Sequence, residues 1–267
     1  MSRVILSLTG SDRLKFLQGL VSNDLQKLDE SGILYAALLT PQGKYLADFF
    51  LVAAPEAVLV DVKDTHADLL EKRLTLYRLR ADVQIARSDL QVLCGIGPAP
   101  EGALGDPRDP ALGWRLYGDR AGDEAPDREA LRVARLIPET GVELTPDSYI
   151  LEMGFERLSG VDFRKGCYVG QEVTARMKHK ATLRKGLVRV RIEGEAPPPG
   201  TPILMEDGRE AGVLHTSAGE QALAWLRFDR LGTALSAGGA RVIPDPSGQE
   251  IGDLPLPDGQ TGNEELI

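Results

Sequence analysis

The 267-residue chain has few of the residues that build disulfide, metal or hydrolase sites. Its two cysteines, Cys94 and Cys167, exclude a disulfide framework and favour a reducing compartment, which we expect to be the cytoplasm. An iron–sulfur cluster needs about four thiolates, and this chain has no Cys-x-x-Cys pair to begin one. The histidines, His66, His179 and His215, are isolated from one another. We therefore expect no stably bound metal.

Several other signals are absent. The chain has no Gly-x-Ser-x-Gly nucleophile motif and no glycine-rich phosphate loop. Its most apolar stretch, 49–62, is interrupted by Pro55 and Glu56, and its start has no apolar signal region, so we expect neither a membrane span nor secretion. A pI near 5.0 and a formal net charge of −9 disfavour general coating of nucleic acids, because polyanion binding requires a basic surface.

The pattern of apolar runs and turns indicates an α+β fold. Runs typical of strands occupy 4–8, 33–40, 44–53, 57–62, 81–86, 90–96 and 113–117. Pro41-Gln42-Gly43 predicts a hairpin turn. Helices are predicted after Ser11 or Asp12, over 127–136 and over 171–178, and from Asp64 to Arg78. In the last of these we expect four residues to face inward: Leu69, Leu70, Leu74 and Tyr77.

Changes in composition and in the pattern of apolar residues divide the chain into three parts. We treat 1–182 as one region. After it, short strands separated by turns predict a small β-barrel over 183–245. Residues 244–267 contain six acidic residues, no Lys or Arg and no aromatic residue, so an acidic disordered tail is predicted over 246–267.

One segment carries most of the chemistry, Lys165-Gly166-Cys167-Tyr168-Val169-Gly170-Gln171-Glu172. A nearby cation lowers the pKa of a thiol, and glycine allows close approach of other groups, so Cys167 has the surroundings of a reactive thiol. Cys94 lies in an apolar run and is predicted to be a core residue. From 164 to 185 the chain has seven Lys or Arg and one acidic residue. This basic segment is either a solvated face or an electrostatic funnel for an anion such as a carboxylate tail or RNA.

The eight-residue segment resembles the signature of the YgfZ family, which are folate-binding proteins similar in fold to the aminomethyltransferase (T protein) of the glycine cleavage system. Further similarities run in the family's order over residues 4–190: Gly10-Ser11-Asp12, Phe16-Leu17-Gln18-Gly19, Asn23-Asp24, Leu38–Lys44, Asp106-Pro107-Arg108, Leu112–Arg115, Arg132, Ile137-Pro138, Glu152 and Gly160–Phe163. Two details depart from the pattern, since Ile150-Leu151-Glu152 stands where Pro-x-Glu is common and Ser22 stands where Thr is common.

The resemblance implies two interwoven ferredoxin-like α/β units in a T-protein-like folate-binding region, followed by the C-terminal barrel. It also implies a tetrahydrofolate-binding factor that supports assembly or repair of iron–sulfur proteins. Its partners would be folate, or a one-carbon derivative of it, and iron–sulfur assembly or client proteins. Two alternatives remain open: a folate-dependent aminomethyl- or methyltransferase, and an RNA- or protein-binding scaffold that uses the basic segment 164–185.

The resemblance also implies roles for particular residues. Cys167 would be the reactive thiol, acting as nucleophile, ligand or redox sensor, and Lys165 would favour its thiolate form. Glu152 would bind the pterin amino groups, because two adjacent N–H donors suit a carboxylate. Arg132, with the basic segment, would hold the glutamate tail of the folate. The remaining predicted site residues are Asp24, Tyr168, Gln171 and Glu172, with Gly166 and Gly170 shaping the loop.

Overall fold

A computed structural model describes residues 2–119, 128–179, 183–231 and 233–245. The chain divides into two compact units, Met1–Ala181 and Thr182–Ile267. The predicted tail, 246–267, lies outside the described residues. Among the residues that are described, no helix combines the length and the apolar character needed to cross a bilayer.

The first unit is built on a five-stranded antiparallel sheet. Its strands are β1 (Arg3–Thr9), β2 (Ile33–Leu39), β3 (Tyr45–Ala54), β4 (Ala57–Lys63) and β5 (Gln84–Ser88). They lie in the order β2-β3-β4-β1-β5, and each neighbouring pair is antiparallel. The predicted hairpin joins β2 to β3, with Gly43 in the turn at φ 75°. Every residue of β2 is buried, so both faces of the sheet are covered at this strand.

Helices cover one face of this sheet. They are α1 (Arg13–Gln18), α2 (Leu28–Ser31) and α3 (Asp64–Arg78). Leu70 and Leu74 of α3 belong to the core with alternate residues of the strands. The prediction that Leu69 faces inward was wrong, because its side chain is 39% exposed. Successive helical residues lie about 100° apart, so a helix that centres Leu70 and Leu74 on the sheet turns Leu69 outward.

A smaller sheet and two helices complete the first unit. The sheet has the order β6-β8-β7, from β6 (Gln91–Gly95), β7 (Leu104–Gly105) and β8 (Trp114–Gly118). The helices are α4 (Arg128–Ala134) and α5 (Gln171–His179). Within the described residues α4 is shorter than the predicted 127–136. Cys94 is half-buried in β6 rather than fully enclosed.

The second unit is a closed six-stranded barrel, as predicted. Its strands follow the order β10-β11-β12-β9-β14-β13. They are β9 (Lys185–Glu193), β10 (Pro202–Met205), β11 (Glu210–Ala218), β12 (Gln221–Arg227), β13 (Leu235–Ala237) and β14 (Ala240–Asp245). Alternate residues of β9, including Val188, Val190 and Ile192, fill the interior. Strand β13 has only three residues, which are too few to show an alternation in the sequence.

Candidate functional site: an anchored cysteine loop

Cys167 lies on the exposed part of a loop that runs from Gly160 to Gly170 and leads into α5. We call this segment the cysteine loop. Gly166 and Cys167 are exposed, whereas Lys165 before them and Tyr168 after them are buried. The loop therefore presents the thiol to solvent while both flanking side chains are held in the protein.

The first anchor of the cysteine loop is Ser22, the residue before Asn23 in the opening segment of the chain. Its hydroxyl donates to the carbonyl oxygen of Gly160 at 2.6 Å and accepts from the amide of Ala37 at 2.8 Å. The amide of Asp162 also donates to the carbonyl oxygen of Ser22 at 3.0 Å. Ser22 is buried, so these bonds are shielded from water and join strand β2 to the start of the loop.

Asn23 reinforces the same connection. Its side-chain amide donates to the carbonyl oxygens of Tyr35, at 2.8 Å, and Ser159, at 2.7 Å. Gly160 must approach closely here, because a Cβ built on it would lie 2.6 Å from Phe155 and 2.9 Å from Tyr35. Side chains far apart in sequence thus fix the start of the loop.

Lys165 is the second anchor. Its ammonium donates to three backbone carbonyl oxygens, those of Gln18 at 2.8 Å, Val21 at 2.5 Å and Asn23 at 2.9 Å. An ammonium has three protons, so this arrangement uses all of them and leaves none for a hydrogen bond to the Cys167 sulfur. Burial lowers the pKa of Lys165 to about 8, against the opposing charges of Asp24 and Asp162. In the structure Lys165 ties the loop to the segment after α1.

Gly170 is the third anchor, at the far end of the loop. Its φ is 83°, and a Cβ built on it would lie 2.6 Å from the carbonyl oxygen of Thr40 and 2.9 Å from the Cβ of Leu39. The loop therefore packs directly on the turn between β2 and β3. Gly43 in that turn is equally confined, since its Cβ would lie 2.7 Å from Val173 of α5. Gly166 is different, because no described atom lies within 4 Å of the position its Cβ would take.

The remaining signature residues lie at the start of α5. The amide of Tyr168 donates to the side-chain oxygen of Gln171 at 3.3 Å, which is a local contact across the first turn. Burial raises the pKa of Tyr168, and its ring lies 4.9 Å from the Lys165 ammonium. Glu172 is exposed in the first turn of the helix, where a carboxylate is favoured by the helix dipole.

The other predicted folate-binding residues occupy separate positions in the first unit. Glu152 is buried. Asp24 caps the 3₁₀ turn Leu25–Lys27, accepting from the amide of Gln26 at 3.1 Å and from the side chain of Gln18 at 2.9 Å.

Arg132, another predicted site residue, makes contacts that stabilise the fold. Its guanidinium donates to the carboxylate of Glu143 at 2.8 Å and to the carbonyl oxygen of Ile137 at 3.0 Å. All of these groups lie in a buried region. The guanidinium therefore closes the C-terminal end of α4 in the structure.

The sequence reasoning missed a polar and aromatic layer on the sheet face opposite the helices. Asp48 of β3 accepts hydrogen bonds from the hydroxyls of Tyr35, at 2.9 Å, of Tyr45, at 2.6 Å, and of Thr140. Burial, and after it the Asp48 charge, raises the pKa of both tyrosines, which keeps them protonated as donors. Asp48 stands between apolar neighbours in the sequence, and this charge within a strand is the one signal that could have found it.

Charged groups continue this layer across the sheet. Asp61 is fully buried and accepts from Arg3 and from Arg115, the latter at 2.7 Å. Burial alone would raise the pKa of Asp61, but the two guanidinium groups hold it below its ordinary value. Arg115 also lies 3.9 Å from the ring centre of Phe50. The pairing of these residues is set by sheet register, with Phe50 opposite both Tyr35 and Asp61, and is invisible in the linear sequence.

The basic segment 164–185 does not form a uniform solvated surface. Lys165 is buried on carbonyls, Lys178 pairs with Glu156, and Lys185 lies 4.6 Å from the ring centre of Trp225. Arg164 and Arg176 are exposed. The segment also contains undescribed residues and the division between the two units. Within the described ranges, no group of three or more His, Cys, Asp or Glu side chains could hold a metal ion.

The fold is that of the T-protein class. The crystal structure of the glycine cleavage system aminomethyltransferase T from Bartonella henselae superimposes with a TM-score of 0.72 at 14% identity, covering 91% of this chain and 82% of that one. At this identity the similarity shows the fold alone. The similarity confirms the predicted α+β architecture of the first region. The closed barrel confirms the β-barrel that was predicted for the second region.

Comparisons of sequence give more specific similarities than the comparison of folds does. Residues 184–249 match the CAF17 C-terminal beta-barrel domain. The human mitochondrial iron–sulfur cluster assembly factor IBA57 is 29% identical over 86% of this chain and 76% of its own length. The mouse protein of the same name is 28% identical over the same shares. The Mycosarcoma maydis homologue is 31% identical over 73% of this chain and 57% of its own length. The predicted resemblance is thus supported at the level of fold and of sequence similarity over most of the chain.

The prediction of a cytoplasmic location was wrong. The relatives that match most of the chain are named as mitochondrial proteins. The prediction rested on the scarcity of cysteine, and that scarcity indicates reducing conditions without distinguishing one reducing compartment from another.

Proposed function

We propose that the protein is an assembly factor for iron–sulfur proteins that binds tetrahydrofolate and acts through the thiol of Cys167. The observation that carries the proposal is an exposed cysteine on a loop whose flanks are fixed by Ser22, Lys165 and Gly170. Such a loop presents one thiol at a defined place with little conformational freedom to lose on contact with a partner. The names of the relatives, iron–sulfur cluster assembly factors, support the role.

The single exposed thiol limits what the protein does alone. A cluster takes about four thiolate ligands, so Cys167 supplies at most one of them. The proposed role therefore requires a partner that contributes the other ligands, an iron–sulfur assembly protein or the client itself. The cluster is in this view a cargo that passes between proteins.

The residues present fit the pterin part of a folate better than its tail. A pterin has adjacent N–H donors that suit a buried carboxylate, and Glu152 provides one. The tail carries carboxylates that need accessible cations. Arg132 is engaged by Glu143 and Ile137, so in this proposal it supports the fold, and the exposed Arg164 and Arg176 hold the tail. A bound tetrahydrofolate would supply a one-carbon carrier close to these residues.

The test of the thiol uses the chain's second cysteine as a matched control. Cys167→Ala and Cys94→Ala are each introduced into a host that lacks the wild-type protein. We expect Cys167→Ala to reduce aconitase activity as far as the deletion does, with malate dehydrogenase unchanged, and Cys94→Ala to restore aconitase. Both variants should keep the wild-type melting temperature within a few degrees. Full aconitase activity with Cys167→Ala would remove the thiol from the function.

The folate part of the proposal is tested separately by calorimetry with tetrahydrofolate. We expect Glu152→Gln to weaken binding at least tenfold and Glu30→Gln, an exposed acidic residue of α2, to leave it unchanged. Equal affinities of wild type and Glu152→Gln would take Glu152 out of the site. Absence of folate binding together with steeply salt-dependent RNA binding would instead favour the scaffold alternative.

A further inference from the structure

The end of α3 holds a leucine in a conformation that leucine rarely adopts. Leu79 follows the last residue of the helix with φ 46° and ψ −107°. A left-handed conformation costs a residue with a Cβ about 1–2 kcal/mol. The Leu79 side chain is 87% exposed, so burial does not compensate this cost. The leucine therefore leaves a large apolar side chain available for contact outside the folded monomer.

Leu79 is part of a larger apolar stripe. Leu76, three residues earlier, is 62% exposed, and the outward-facing Leu69 lies two turns before Leu76 on the same side of α3. The opposite side of the helix, with Ala67, Leu70 and Leu74, is buried in the core. The exposed leucines are therefore not left over from an incomplete core contact.

The stripe is flanked by cations. Residues 72–80 contain four Lys or Arg and no acidic residue, and Lys72, Arg73 and Arg80 are exposed. The nearby acids of the helix, Asp68 and Glu71, both pair with Arg87 of β5. We define the α3 surface as six residues: Leu69, Lys72, Arg73, Leu76, Leu79 and Arg80. It is a basic and apolar surface on a protein whose net charge is −9.

We propose that the α3 surface docks an acidic amphipathic segment of a partner protein. Apolar side chains of that segment contact Leu76 and Leu79, and its carboxylates face Arg73 and Arg80. Leucines and cations lie side by side on this surface, which is the complement of a segment that carries both apolar and acidic residues. The inference does not use Cys167 or folate and stands independently of the proposed function.

A protein partner fits these observations better than an anionic membrane. Membrane-surface helices bury a broad apolar face, whereas the broad apolar face of α3 is already covered by the sheet and only a narrow stripe is exposed.

The partner segment is first located by photo-crosslinking. A benzophenone amino acid replaces Thr75, an exposed residue one turn before Leu79, in the full-length protein. The same amino acid at Glu220, an exposed residue of the barrel, is the control. We expect crosslinking in host extract to yield a peptide rich in acidic and apolar residues at position 75 only. The peptide is then synthesised and titrated against purified variants.

The variants test the apolar side chain and the positive charge of the α3 surface separately. We expect Leu79→Gly and Arg80→Glu each to weaken peptide binding at least tenfold, and 0.5 M salt to weaken it further than 0.1 M. Glu56→Gly is the matched control, because exposed Glu56 also has a positive φ, 55°, but lies outside the α3 surface. It should leave the affinity unchanged.

Four results from crosslinking and binding would overturn the inference. They are a crosslinked peptide without acidic residues, the absence of any peptide specific to position 75, unchanged affinity in Leu79→Gly, and Leu79-dependent binding to phosphatidylserine vesicles without peptide binding. Self-association that Leu79→Gly abolishes would likewise replace the partner segment by a second copy of the chain.

Discussion

Two helices of the first unit end in a leucine with positive φ, and the two leucines have opposite surroundings. After α4, the amide of Ile137 donates to the carbonyl oxygen of Arg132 at 2.9 Å and the amide of Leu136 donates to that of Val133 at 3.1 Å. This pattern is a Schellman motif with Leu136, φ 55°, in the place that glycine usually takes. Leu136 is 3% exposed, whereas Leu79 after α3 is 87% exposed.

The difference shows that a positive φ at a leucine can be offset in two ways. At Leu136 the core gains a buried side chain and the helix gains two capping hydrogen bonds, so the strain is offset within the folded unit. At Leu79 no side chain is buried, but the amide of Ala81 donates to the carbonyl oxygen of Arg78 at 2.9 Å, which closes a turn around Leu79 and Arg80. Gly170 is a third case, since its φ is also positive but its surroundings leave no room for a side chain.

Gly170→Ala should cause the largest loss of unfolding free energy. The substitution adds left-handed strain and places a Cβ 2.6 Å from the carbonyl oxygen of Thr40. Strain and overpacking together should cost about 3–4 kcal/mol of unfolding free energy, measured by urea denaturation of the purified protein. Gly166→Ala is the control within the same loop and should cost less than about 1 kcal/mol, because its Cβ meets open space. Equal losses would mean that the hairpin contact does not anchor the loop.

Leu136→Gly should cause the second-largest loss of unfolding free energy. Removal of a buried leucine side chain costs about 3–5 kcal/mol, and relief of the left-handed strain returns about 1 kcal/mol of it. We therefore expect a net loss of about 3 kcal/mol, with a melting temperature lower by several degrees. A stabilised variant would show that the strain at this helix end outweighs the packing.

Lys165→Met tests how much the hydrogen bonds of the Lys165 ammonium stabilise the anchored loop. The change keeps an apolar side chain of similar length and leaves the carbonyl oxygens of Gln18, Val21 and Asn23 without their donor. We expect a loss of about 2 kcal/mol in urea denaturation, because buried acceptors without a partner are costly. Lys15→Met, on the exposed side of α1, should be within about 0.5 kcal/mol of wild type. A neutral Lys165→Met would mean that the segment after α1 finds other donors.

These cases also show which parts of the fold could be predicted from the sequence. Local signals predicted the β2–β3 hairpin and the course of α3 because turn chemistry and helical period act over a few residues. They failed at Leu69, since only the sheet decides which of two neighbouring leucines turns inward. They also could not pair Lys165 with carbonyl oxygens more than 140 residues earlier, or Asp61 with Arg115, because these contacts arise from register and topology.

The smallest effect, and the one of opposite sign, should come from Leu79→Gly. Glycine adopts the observed φ of 46° without the penalty of about 1–2 kcal/mol, while its greater freedom in the unfolded chain costs about 0.5–1 kcal/mol. The exposed side chain contributes little packing, so we expect a net gain of about 0.5 kcal/mol in urea denaturation. Glu56→Gly should give a similar small gain, since it relieves the same kind of strain on another exposed turn. A stable Leu79→Gly protein that no longer binds the acidic segment would distinguish the two leucines. The Leu136 side chain would then serve the fold, and the Leu79 side chain would serve an interaction. A clear loss of stability in Leu79→Gly would place Leu79 with Leu136 and remove the reason for assigning it to an interface.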